Sequence, residues 1–312
     1  MSSAGVLLVA LASAALMGLA IQRGATCMVA AVDEILSAGR ATRAVALAEA
    51  AVWAGGLATI AAATGWLQMT FPAYAVDGAT IAGGLLLGIG AWVNQACVFG
   101  AVARIGSGQW AWLATPVGFF IGCLVPFPAP ESQHAISFGF GNIGYVLVLA
   151  VAVLAIWRVV EAARAPRIGV HLWHPHRATL LIALTFVTTL LSAGYWAYTD
   201  ALAALARSMD AMLSLRGAMV VALLSGAIAG GAIAGKLRRE WPRPAAVVRC
   251  LAGGMLMGMG AALVPGSNDG LILLGLPAML PHAWVAVGVM TLSIAAAIKL
   301  EFVTRAALAA NT

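Results

Sequence analysis

Long apolar runs, interrupted by short stretches rich in glycine and polar residues, set the pattern of the chain. About 30 Å of hydrocarbon takes roughly 20 helical residues to cross. Nine runs approach that length: 4–21, 44–64, 79–93, 109–126, 140–158, 178–197, 216–236, 246–263 and 281–300. Between the first two, CMVAAVDEIL begins at Cys27 and is too short and too polar to span. Cys97 to Arg104, Thr199 to Arg207 and Asn268 to Leu276 have the same character. Each of these four segments is predicted to be a re-entrant half-helix. The predicted fold class is all-α, a polytopic membrane protein of about nine transmembrane helices.

One stretch recurs. IAGGLLLGIGA at 81–91 and LAGGMLMGMGA at 251–261 share seven identities in eleven pairs at an offset of 170. The same register sets Cys97 against Ser267 and Gly100 against Gly270. Each copy reads as a span with small residues on one face, a non-helical break and a short second helix. Five spans separate the equivalent helices, so the second copy must cross the bilayer in the opposite sense. The chain is therefore expected to be a single transmembrane domain, 1–312, with one inverted repeat at 1–130, a linking helix and basic loop at 131–177, and the second repeat at 178–312. The half-helices at Cys27 and Cys97 are expected to enter from one side, and those at Thr199 and Ser267 from the other.

Composition agrees with this pattern, for 62% of the 312 residues are hydrophobic and only 9% charged. A soluble domain with that balance would expose large apolar patches to water. The run Val6 to Ile21 is read as a retained helix rather than a signal peptide, since more spans follow it. With nine spans, fifteen of the 17 Lys and Arg fall on one side, leaving Arg207 and Arg216 on the other. The positive-inside rule then puts the C-terminus in the cytoplasm and the N-terminus outside, in a plasma membrane. Topology accounts for the net charge of +6, so no nucleic-acid partner is expected. The basic run Arg158 to Arg177, with His171, His174 and His176, reads as a solvated loop near anionic lipid headgroups.

Chemistry concentrates at the breaks. Four half-helix N-termini pointing to the centre would present unpaired N–H groups and partial positive charge, which suits an anion. Cys27 follows Gln22-Arg23-Gly24-Ala25-Thr26, Cys97 follows Asn94-Gln95-Ala96, and Ser267 sits in Pro265-Gly266-Ser267-Asn268-Asp269-Gly270. Thiols are weak, polarizable donors fitted to a soft, sulfur-bearing anion. Asn94, Gln95 and Asn268 are candidate neutral donors to its oxygens, and Thr199 takes the place matching Cys27. Arg23 and Arg104 bracket two half-helices and either attract anions or anchor at headgroups. Asp33 and Glu34 are expected to pair with neighbouring arginines. Asp269, near a half-helix start, reads as a cap in preference to a proton carrier. Cys123 and Cys250 lie within apolar runs and read as packing. No CxxC or Cys/His spacing appears, so neither a metal nor a cofactor is expected.

The segments IQRGATCMVAAVDE, GIGAWVNQACVFGAVARIGSGQW and GMGAALVPGSNDGLILLGLP resemble the motifs of the YeeE/YedE family of bacterial inner-membrane sulfur-compound transporters. The resemblance covers nearly the whole chain. It implies an hourglass of nine spans with inverted repeats and short central helices, in which thiols hand an anion along through S–H contacts to sulfur. It carries two thiols onto this chain, Cys27 and Cys97. Where the thiosulfate-uptake pattern has a third, this chain has Ser267. The function implied is uptake of thiosulfate or a related small sulfur-containing anion, with a TusA-like cytoplasmic sulfur carrier as a partner. Alternatives from the residues are transport of another soft anion, such as sulfite, sulfide or a selenium species, and an intramembrane thiol-disulfide oxidoreductase using Cys27 and Cys97.

Overall fold

The computed structural model describes residues 3–24, 26–128, 132–138, 142–164, 175–208, 215–238 and 240–310. The first unit begins with α1 (Ser3–Gly24), α2 (Met28–Ala38), α3 (Thr42–Ala63) and a strand, β1 (Thr70–Tyr74). It continues with α4 (Gly78–Asn94), α5 (Val98–Gly106), a 3-10 turn at Trp110–Leu113 and α6 (Ala114–Cys123). A second strand, β2 (Ser132–Ser137), precedes α7 (Asn142–Ala163). The second unit has α8 (Pro175–Ala193), α9 (Tyr198–Ser208), α10 (Leu215–Ile233) and α11 (Pro244–Leu263). It ends with the single turn α12 (Asn268–Gly270), the π-helical turn Leu271–Gly275 and α13 (Pro281–Ala310).

Among the described residues seven helical stretches are long and apolar enough to cross a membrane, and α8 with α9 makes an eighth. The protein is an all-α polytopic membrane protein. The predicted run 109–126 falls on the shorter apolar helix Trp110–Cys123. Gly108, at φ +83°, marks its start, and Pro126 and Pro128 prevent its continuation.

The half-helices depart from expectation in their heading. Instead of folding back, α2 and α5 run on from α1 and α4 as single apolar stretches, Ala4–Ala38 and Gly78–Gly106, while α9 turns by 41° from α8. The break after α4 shows why. Gln95 takes a left-handed φ of 59° and returns its N–H to Ala91 and Trp92, and the Asn94 amide donates to the Ala96 carbonyl at 2.7 Å. The chain steps aside there without reversing. The fourth half-helix, expected over Asn268 to Leu276, is one α-turn followed by the π-helical turn.

The two units interlock. α1 packs on α10 and α8, and α4 packs on α11 and α13. Small residues let α4 and α11 approach backbone to backbone: a Cβ added at Gly253 would lie 2.7 Å from the Gly90 carbonyl, and one at Gly83 2.8 Å from that of Gly260. Without a hydrophobic force between helices in lipid, such contact is what holds spans together. The strands, absent from the sequence reading, pair antiparallel with Thr70 opposite Ser137 and Phe71 opposite Ile136. β1 lies against the start of α13 through an edge-on contact of Tyr74 with His282, 5.2 Å between centroids. In the predicted basic run, Arg158 is not a headgroup anchor alone, because it pairs with Glu49 at 2.5 Å and Glu161 at 2.6 Å. His171 and His174 lie outside the described residues.

Candidate functional site

Two breaks bring two thiols together. Cys27 and Cys97 are the N-cap residues of α2 and α5, both in extended backbone, and neither side chain caps its own helix. The thiols instead meet each other, with Cys97 Sγ 3.7 Å from Cys27 Sγ. The Met28 N–H, an orphan donor of the first turn of α2, is directed at Cys97 Sγ at 3.3 Å. Gly100 makes the approach possible, since a Cβ there would stand 2.6 Å from Cys27 Sγ. Both cysteines are buried, at 7% and 1% exposure.

The second unit repeats this arrangement with oxygen chemistry. Ser267 is the N-cap residue of α12, in extended backbone, and makes no side-chain capping bond. Its hydroxyl lies 3.4 Å from Asn268 Oδ1. The Asn268 amide nitrogen is buried without a hydrogen-bond partner. Asp269 bridges the two half-helices as the thiols do, accepting from the Thr199 N–H at 3.2 Å, the Thr199 hydroxyl and the Gly270 N–H at 3.0 Å. Gly270 mirrors Gly100: a Cβ there would lie 2.5 Å from the Tyr195 hydroxyl, which donates to Asp200. α12 touches both α5 and α9, so the breaks of the two units adjoin.

A cavity opens on either side of the breaks. The first, of about 790 Å³, has Cys27 and Gly100 in its wall and is also lined by Gln95, Arg104, Arg249 and Glu301. The second, of about 310 Å³, is lined by Gly266, Gly270, Tyr195 and Asp200, with Arg207, Arg216 and His282. They lie at opposite ends of the same helices. The first takes residues from the beginning of α11 and the far end of α13, the second from the end of α11 and the beginning of α13. Five cations line the first vestibule, Arg43, Arg104, Lys236, Arg249 and Arg305, against the two acids Asp33 and Glu301. Its potential favours anions.

A family model described as sulphur transport matches residues 23–296. The chain belongs to this family, the YeeE/YedE family. The match takes in all four breaks, and the family is one of transporters of sulfur compounds. A comparison with curated proteins finds no match.

In this sulphur-transport chain, Cys27 and Cys97 come together, as do Thr199, Ser267, Asn268 and Asp269, while of the other two expected donors Gln95 shares the vestibule with Cys27 and Asn94 is turned inward. Asn94 is fully buried and its amide is taken up locally, donating to Ala96 and accepting from the Thr115 hydroxyl at 2.9 Å. Gln95 is exposed and lines the first vestibule. Thr199 lies in the first turn of α9, which begins at Tyr198. Glu34 accepts the backbone N–H of Arg43 at 2.9 Å instead of its guanidinium. Cys123 points at the Gly258 carbonyl, 3.5 Å away, and Cys250 is buried in α11. Sequence reasoning missed Tyr195 and Asp200, whose pairing across a five-residue interval at a helix break has no periodic signature. Thr26, in the break that precedes Cys27, has a buried hydroxyl that lacks a partner.

Proposed function

We propose that the protein takes up thiosulfate or a related small sulfur-containing anion along a path from the second cavity, past Ser267, to the thiols of Cys27 and Cys97 and into the first vestibule. The observation that carries this is the thiol pair itself: two cysteines at two helix N-termini, 3.7 Å apart, one of which, Cys27, stands in the wall of a cation-rich cavity, in a chain of the sulphur-transport family. Buried S–H groups donate to soft sulfur with little penalty for leaving water, while the helix N-termini and the orphan donors of Thr26 and Asn268 offset the loss of hydration of the oxygens. The arginine-rich vestibule faces the cytoplasm in this reading, in a bacterial inner membrane, in keeping with the positive-inside rule. A dianion entering against 100 mV costs about 4.6 kcal/mol, at roughly 2.3 kcal/mol per elementary charge. Capture at the vestibule, by a sulfur carrier such as the TusA-like partner the resemblance implies, would offset that cost.

Purified protein in liposomes, offered labelled thiosulfate, sulfite, sulfide and sulfate, tests the proposal. Uptake of thiosulfate or another reduced sulfur anion in preference to sulfate supports it. Equal uptake of sulfate would remove the thiols from the selective step. A thiol-disulfide exchange activity between Cys27 and Cys97 without net anion uptake would favour the oxidoreductase reading, for which the thiol contact is the only support.

A further inference from the structure

Below the thiols, the wall of the first vestibule carries a feature that sulfur recognition does not use. Arg104, on α5, holds its guanidinium carbon 4.5 Å from the ring centre of Trp112, and Arg249, on α11, holds its own 5.4 Å from the same ring. Both arginines line the cavity that contains Cys27. Cation–π contact fixes each guanidinium plane and leaves its in-plane N–H groups for other partners. Arg104 gives one nitrogen to the Gln109 amide at 3.3 Å and one to the Gln95 carbonyl at 3.4 Å, both neutral acceptors. The Nε of Arg249 is buried with no hydrogen-bond partner at all. Of the two acids in the vestibule wall, Glu301 is engaged by the Trp92 indole at 3.2 Å and by Arg305. Two cations on one ring repel each other, and an unpaired buried N–H costs free energy comparable to a lost hydrogen bond. A tetrahedral oxyanion in the cavity that both arginines line, within reach of both guanidiniums, would relieve both.

We propose that Arg104 and Arg249, both held on Trp112, form a second anion site in the vestibule, one that takes the oxygen end of a sulfur dianion after it leaves the thiol pair. The site deepens the transport reading and rests on it for its place in the path, although its existence is testable without transport. Selectivity then divides between two stations. The thiols recognise soft sulfur, and the arginine pair recognises doubly charged oxyanions without regard to sulfur. Sulfate, which has no soft end, should bind the second station alone.

The test is thermal stabilisation of the purified, detergent-solubilised protein by sodium sulfate, with sodium chloride at matched ionic strength as the control. Sulfate should raise the melting temperature of the wild type and of Cys97→Ala equally. Arg104→Gln and Arg249→Gln should each weaken the apparent affinity for sulfate at least ten-fold, and Arg249→Lys should restore part of it. Each variant is compared with its own melting temperature in chloride, so a general loss of stability is read separately. A sulfate response that survives in both Gln variants, or is absent from the wild type, would overturn the site. A lipid phosphate shares this chemistry, so the same proteins are titrated with a short-chain phosphatidylglycerol. Arginine-dependent stabilisation by the lipid but not by sulfate would also overturn the proposal. Loss of thiosulfate uptake in liposomes with an intact, arginine-dependent sulfate response would refute the transport reading and leave the site standing.

Discussion

At Ser267 the second unit carries a hydroxyl where the repeat register places the partner of Cys97. The hydroxyl does not cap its helix and is directed at the Asn268 side-chain oxygen, 3.4 Å away. Ser267→Cys is expected to raise thiosulfate uptake relative to sulfite, because a thiol favours a sulfur end over an oxygen end. Ser267→Ala is expected to lower both by roughly five- to 150-fold, the equivalent of about 1 to 3 kcal/mol for one unreplaced hydrogen bond. Uptake ratios in liposomes check both, and an unchanged ratio in the cysteine variant would take Ser267 off the path. Gly100 offers a second test at this scale. Its added Cβ would lie 2.6 Å from Cys27 Sγ, so Gly100→Ala is expected to displace the thiol and abolish uptake. Gly78→Ala, which meets open space, should not. Cys27 and Cys97 were legible in the sequence because each stood at a break. The internal bonding of Asn94 was not legible, because an amide that bonds two residues along its own chain looks the same in sequence as one that waits for a ligand.

Helices show the same division between pattern and geometry. All nine apolar runs fall on helices because burial in lipid demands satisfied backbone groups whatever the tertiary contacts. The heading of the half-helices was not legible, since it depends on the left-handed turn at Gln95 and on one amide bond. The strand pair was missed because five residues around Pro72 contain too little alternation to stand out between spans. The start of α4 is set by a capping box, in which Asp77 accepts the Thr80 N–H at 2.9 Å and Thr80 Oγ1 accepts the Asp77 N–H at 3.3 Å. The Thr80 backbone N–H holds the Asp77 carboxyl below its ordinary range. A carboxylate depressed in the folded state contributes stability that is present above its unfolded pKa and lost as pH falls through the folded one. Asp77→Ala is therefore expected to lower the melting temperature at neutral pH, with the difference from wild type shrinking in acid, and to leave the ratio of thiosulfate to sulfite uptake unchanged. Melting curves of the two proteins from pH 7 down to pH 3 check this.

For the whole molecule, the two copies of the eleven-residue pattern lie on α4 and α11, which pack on each other, as α1 packs on α10. Each unit joins two half-helices at a side-chain bridge, sulfur in one and carboxylate with hydroxyl in the other. Along the proposed path, that difference sets sulfur chemistry at one break pair and oxygen chemistry at the other. The charge asymmetry of the loops predicts a cytoplasmic C-terminus, to be checked with a C-terminal reporter active only in the cytoplasm. The central claim is that a sulfur anion passes the paired thiols, and it is tested most directly by the initial rate of labelled thiosulfate uptake into liposomes carrying wild type, Cys97→Ala or Cys250→Ala. The account predicts that the wild type and Cys250→Ala transport at similar rates and that Cys97→Ala does not transport above protein-free liposomes. Uptake by Cys97→Ala at the wild-type rate would contradict it.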